Sequence, residues 1–151
     1  MIEIFSTLLI IAADRITKYL AVTYLKDIST VEIIKGVFNL TYVENKGAAF
    51  GILQNQRWFF IILTIIISIG LAYFLLTQPN LNMILKISLI MILGGAIGNL
   101  MDRVIHGYVV DMLHFTLIDF PVFNVADCFV VMGTVLFAWY VFFISDKIEK
   151  E

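Results

Sequence analysis

The chain has one cysteine, Cys128, in 151 residues. It can form no internal disulfide, and a single thiol does not supply a zinc site of several thiolates. Charge is also scarce. Charged residues make up 15% and hydrophobic residues 61%, where a soluble domain carries roughly a quarter and roughly half. There is no basic run and the net charge is −2, so nothing points to nucleic acid as a partner. No internal repeat or low-complexity stretch is visible. What remains is an apolar chain long enough for one domain, and the environment it suits is a bilayer.

Four spans are expected, at roughly 4–25, 58–77, 85–103 and 124–145. The clearest, 58–77, is uncharged and has the ~20-residue length that a ~30 Å hydrocarbon core requires. The span at 85–103 has Lys86 close enough to its start to snorkel. The first span is imperfect, because "DRITK" places Asp14, Arg15 and Lys18 inside it. With no basic region before it and no small-residue cleavage site after it, a retained helix is expected. The connection at 28–55 is patterned. In "VEIIKGVFNLTYVEN", Phe38, Leu40 and Tyr42 alternate with Asn39 and Thr41, and Lys35-Gly36 falls at a turn, which predicts a small amphipathic sheet. "NKGAAFGIL" then reads as a short interfacial helix. Lysine and arginine counts, taken alone, would put both termini outside the cell.

The polar residues in or beside the spans carry the chemistry. Asp127 lies in the run "FNVADCFVVMGTVLFAWYVFF", where a charge at mid-bilayer costs about 2.5–3.5 kcal/mol. Asn99, Asp102 and Arg103 share one helix face, and Gly94 and Gly98 make a small-xxx-small pair for close helix approach. Asn124 and Asp127 share a face of the last span. With Asp111 between them in sequence, these groups gather at one membrane surface. Several have plain structural readings. Asp14 and Lys18, spaced i,i+4, suit a buried ion pair, and Asp102 beside Arg103 suits a neutralised pair at a helix end. Asp119 reads as a solvated turn residue, His106 and His114 as loop or interface histidines, and Cys128 as a packed membrane cysteine. Asp111 and Asp127 have no basic residue one turn away. Two such carboxylates suit a pair that shares a proton and titrates in separated steps. One member then serves as base on water while the other polarises a carbonyl.

Five blocks follow one another along the chain: "DRITK" (14–18), "NKGAAF" (45–50), "GGAIGNLMDR" (94–103), "VVDMLHF" (109–115) and "FNVAD" (123–127). On these blocks the chain resembles the bacterial lipoprotein signal peptidases (signal peptidase II) over essentially its whole length. The resemblance implies an all-α membrane protein, a single integral membrane peptidase domain over 1–151. Four transmembrane helices would carry a small extracytoplasmic β-cradle and a short interfacial helix. It implies an aspartic endopeptidase with Asp111 and Asp127 as catalytic dyad, cutting prolipoproteins before a diacylglyceryl-modified cysteine. Asn45, Asn99, Asp102, Arg103 and Asn124 would bind substrate or orient the carboxylates, and Asp14 and Lys18 would brace the helices. No metal or cofactor is implied. Membrane lipids and inhibitory globomycin-like cyclic peptides are implied partners. The resemblance puts the enzyme in the bacterial cytoplasmic membrane, with both termini cytoplasmic and the active site near the outer surface, against the charge count. In keeping with this, the chain lacks the HExxH of membrane metalloproteases, the GxSG of rhomboid-like proteases and the GxGD of presenilin-like ones. The alternatives are a proton-coupled transporter, with the carboxylates as relays, and a non-catalytic scaffold with polar interhelical contacts.

Overall fold

The structure, a computed structural model, describes residues 1–47, 52–78, 80–118 and 120–145. The elements run α1 (Ile2–Tyr24), β1 (Thr30–Ile34), β2 (Phe38–Asn45), α2 (Arg57–Thr77), α3 (Met83–Ile105), β3 (Val109–Phe115) and α4 (Val125–Phe143). All four expected spans are helices, each within about two residues of its expected limits at either end. Three of them, α2, α3 and α4, are long and apolar enough to cross a membrane among the described residues. They are apolar on their outer faces too: Ile62, Ile66 and Ile69 of α2 and Val131 and Val135 of α4 are exposed. A helix with an apolar outer surface belongs in lipid.

Helix α3 is the centre, and α1, α2 and α4 all pack on it. Leu85, Leu89, Ile90 and Leu93 of α3 join Ile10 and Leu75 in the main core. Glycine makes the closest approaches possible. A Cβ on Gly94 would meet the Ile10 side chain at 2.7 Å, and one on Gly95 would overlap the Ala126 carbonyl. Both the expected small-residue seam and a second seam, toward α4, therefore lie on α3.

The expected sheet is present, with β1 and β2 antiparallel about a turn where Gly36 takes φ +69°. A third strand was not expected. Residues 109–115 form β3, antiparallel to β2 in the order β1-β2-β3. Its first four residues are buried, so the run lacks the alternation that marked β2. Val110 and Met112 of β3 pack with Ala21 and Leu25, seating the sheet on the end of α1. Of the segment expected as an interfacial helix, residues 48–51 lie outside the described residues and 52–55 form turns. Asp119 and the tail 146–151 also lie outside them.

Candidate active site

Five elements bring polar side chains to one region: α1, the end of β2, the last turns of α3, β3 and the first turn of α4. Asp127 is not at mid-span, because α4 begins only at Val125. It closes a reciprocal cap. The Asp127 backbone N–H donates to Asn124 Oδ1 (2.9 Å), and the Asn124 backbone N–H donates to Asp127 Oδ2 (3.1 Å). This satisfies orphan donors at a helix start and sets the carboxylate at the positive end of the helix dipole. Its other oxygen, Oδ1, accepts from Asn99 Nδ2 at 2.7 Å.

Asp111 stands on β3 opposite Val43, and Asn45 stands opposite Val109, two residues along. Asn45 and Asp111 are therefore diagonal neighbours on one face of the sheet, and Asn45 Nδ2 donates to Asp111 Oδ2 at 2.9 Å. Asn124 Nδ2 donates to Asp111 Oδ1 at 2.6 Å and to Asn99 Oδ1 at 3.1 Å. One asparagine thus touches both carboxylates. Burial, and next the negative charge of Asp127, push the Asp111 carboxyl up to about 7, against the pull of the Asn45 and Asn124 hydrogen bonds.

Behind this lies a second cluster. Lys18 and Asp14 form the expected pair, Nζ to Oδ2, at 2.8 Å. Asp102 does not pair with Arg103. It pairs with Lys18 at 2.9 Å and with Arg15 at 2.6 Å, and it accepts the Val110 backbone N–H. Adjacent helical residues diverge by about 100°, so Asp102 faces α1 while Arg103 faces the other way. Arg103 donates to the Gly47 carbonyl at 3.1 Å and lies 4.8 Å from the centre of the Phe60 ring. Arg15 went unremarked in the sequence as a partner for Asp102, since no local spacing links α1 to the end of α3. Asp14 also accepts the Ala126 N–H at 3.1 Å, which ties α1 to the start of α4.

The two carboxylates, with Asn45, Asn99 and Arg103, line a cavity of about 600 Å³. The rest of its wall is apolar, including Phe115, Ile118, Phe123 and Met132. Cys128, expected as a packed membrane cysteine, is half-buried and lines it as well. The histidines stand elsewhere: His106 stacks on Tyr108 and His114 is within 3.4 Å of the Thr41 hydroxyl.

The family described as signal peptidase (SPase) II matches residues 6–143. The chain belongs to the signal peptidase II family. Among curated signal peptidase II relatives, the lipoprotein signal peptidase of Caldanaerobacter subterraneus subsp. tengcongensis is 50% identical over 89% of this chain and 91% of its own length. That of Clostridioides difficile is 45% identical over 97% and 99%, and that of Streptococcus pyogenes serotype M5 is 41% identical over 88% of each. Two solved structures, both described as a bacterial membrane enzyme, are 34% identical to the chain. They superpose with TM-scores of 0.86 and 0.83, over 99% and 95% of it and 91% and 94% of their own lengths. Members of the signal peptidase II family are hydrolases that cleave signal peptides from prolipoproteins. In this chain the cavity joins two carboxylates to an apolar wall, which suits a peptide bond next to a greasy group.

Proposed function

We propose that the chain is an aspartic endopeptidase that cleaves prolipoproteins just before their diacylglyceryl-modified cysteine, with Asp111 and Asp127 as its dyad. The observation that carries this reading is the meeting of Asp111 and Asp127 in one cavity, with Asn124 donating to Asp111 from its side chain and to Asp127 from its backbone N–H. Asp127 sits at the start of α4, at the positive end of the helix dipole, so it is the base. Asp111 keeps its proton up to about pH 7, so it is the acid. Water attacks the scissile carbonyl carbon as Asp127 takes a water proton and Asp111 gives its proton to the carbonyl oxygen. In the second step the tetrahedral carbon releases the amine. The C–N bond breaks, the nitrogen receives the proton held by Asp127, and Asp111 recovers its own from the hydroxyl. Asn45, Asn99 and Asn124 hold the carboxylates, and Arg103 braces the β2–α2 connection at the cavity wall.

The apolar wall accounts for the lipid. Val131 and Met132 line the cavity and are 61% and 47% exposed on the outer face of α4, so the cavity opens toward the bilayer and a lipid-modified peptide can enter sideways. Globomycin-like cyclic peptides would occupy the same space. The domain is the whole chain, 1–151, with α1 as a fourth span and the sheet as an outer cradle. Both termini are cytoplasmic and the site faces the outer surface of the cytoplasmic membrane.

The test is cleavage of a lipid-modified precursor by purified Asp111→Asn and Asp127→Asn proteins. An amide is nearly isosteric with a carboxylate but takes no proton at neutral pH, so each variant should fold and lose at least ~10³-fold in rate. Near-normal cleavage by either would overturn the assignment.

A further inference from the structure

Lys18 touches neither Asp111 nor Asp127, yet the direction of the hydrogen bonds around Asp127 starts from it. Its side chain is 1% exposed. Its three N–H bonds go to Asp14 Oδ2 (2.8 Å), Asp102 Oδ2 (2.9 Å) and Asn99 Oδ1 (2.8 Å). An ammonium donates and never accepts. Asn99 must therefore turn its oxygen to Lys18, which leaves its Nδ2 facing Asp127 Oδ1 at 2.7 Å. With the amide flipped, two donors would meet at Lys18 and two acceptors at Asp127. The same Asn99 oxygen takes a hydrogen bond from Asn124 Nδ2, the group that also donates to Asp111. Two carboxylates, Asp14 and Asp102, face two cations, Arg15 and Lys18. The lysine's charge is thus largely balanced locally, reaching Asp111 only as the smallest of the pulls on it, and what it passes to Asp127 is an orientation.

We propose that Lys18 is a positioning residue for the cleavage reaction. Through Asn99 it holds the Asp127 carboxylate where water must be deprotonated. This rests on the reading of Asp111 and Asp127 as the dyad. It differs from bracing the helices, because bracing uses only the bonds from Lys18 to Asp14 and Asp102.

A double-mutant cycle separates the two roles. Asp14→Asn with Lys18→Met removes one charge of each sign. Asn99→Ala removes the amide, and the triple variant combines them. Steady-state cleavage of a lipid-modified precursor is measured in detergent, with folding followed by thermal unfolding. Positioning predicts that the Lys18 variant and Asn99→Ala each lose roughly tenfold or more in kcat, with KM within about twofold. The triple variant should then be no slower than Asn99→Ala alone. Losses that multiply, or a folded Lys18 variant with normal kcat, would overturn the proposal. If the Lys18 variant does not fold, Lys18→Arg decides: it keeps the charge and donors for Asp14 and Asp102, but its planar fork does not reproduce the third, tetrahedrally placed bond to Asn99. Positioning predicts a folded enzyme with kcat lowered roughly tenfold, and a folded Lys18→Arg enzyme of normal kcat would overturn the proposal. Asp127→Asn is run alongside. If it still cleaves, the dyad reading fails; if it is dead while the Lys18 cycle multiplies, only the positioning role fails.

Discussion

In the proposed dyad the charge state of Asp111 decides the chemistry, and its environment fixes a pH window. Burial and the Asp127 charge raise its carboxyl from 3.8 to about 7. Between those values the folded chain keeps a proton that the unfolded chain has lost, so the contribution of Asp111 to stability falls as pH rises across the window. The acid role follows the same proton, so cleavage should decline as pH passes about 7. A rate profile on the purified enzyme checks this, and rates that hold level to about two units above that point would contradict it. The sequence showed most of this site. Asp111, Asp127, Asn45, Asn99 and Asn124 converge as their spacing and blocks implied. It misled where partners are distant. Asp102 and Arg103 look paired because they are adjacent, but a helix turns them apart, and the true partners of Asp102 are on α1.

Among the elements, the meeting of α3 and α4 matters most, since it sets where the first turn of α4 lies. Gly95 permits it: a Cβ there would overlap the Ala126 carbonyl and come within 2.8 Å of the Val130 side chain. Backbone cannot move aside as a side-chain tip can. Gly95→Ala should therefore push α4 outward next to Asp127 and cost about 1–3 kcal/mol of stability, as overpacking does. Activity should fall more than Tm suggests. An unchanged Tm with unchanged cleavage would show that the seam is looser than it looks. The helices were legible because long apolar runs are a strong signal, and β1 and β2 because neither is buried on both faces: β1 is mostly exposed and β2 half-buried, which leaves room for polar residues between the apolar ones. Strand β3 was not legible. Val109, Val110, Asp111 and Met112 are all buried, so its pattern had no period of two, and it borders on a long helix.

For the whole molecule, the same physics explains why one helix falls short on apolarity alone. Helix α1 is 23 residues long, as long as α3, but it carries Asp14, Arg15 and Lys18. A hydropathy sum counts those charges and not their partners. In the fold, Lys18 and Asp14 are buried against each other and against Asp102, Asn99 and the start of α4, which makes α1 suitable as a fourth span. The assembled protein then has a polar, two-carboxylate cavity at one end of an apolar bundle, and on the proposed reading that cavity opens toward lipid. The most direct test of this account is to reconstitute the purified protein in vesicles with a diacylglyceryl-modified precursor. An unmodified precursor and a Cys→Ser precursor serve as controls, and the products are weighed by mass spectrometry. The account predicts a product whose first residue is the lipid-modified cysteine, insensitivity to chelators, and little cleavage of either control. No cleavage, equal cleavage of the unmodified precursor, or chelator inhibition reversed by added metal would contradict it.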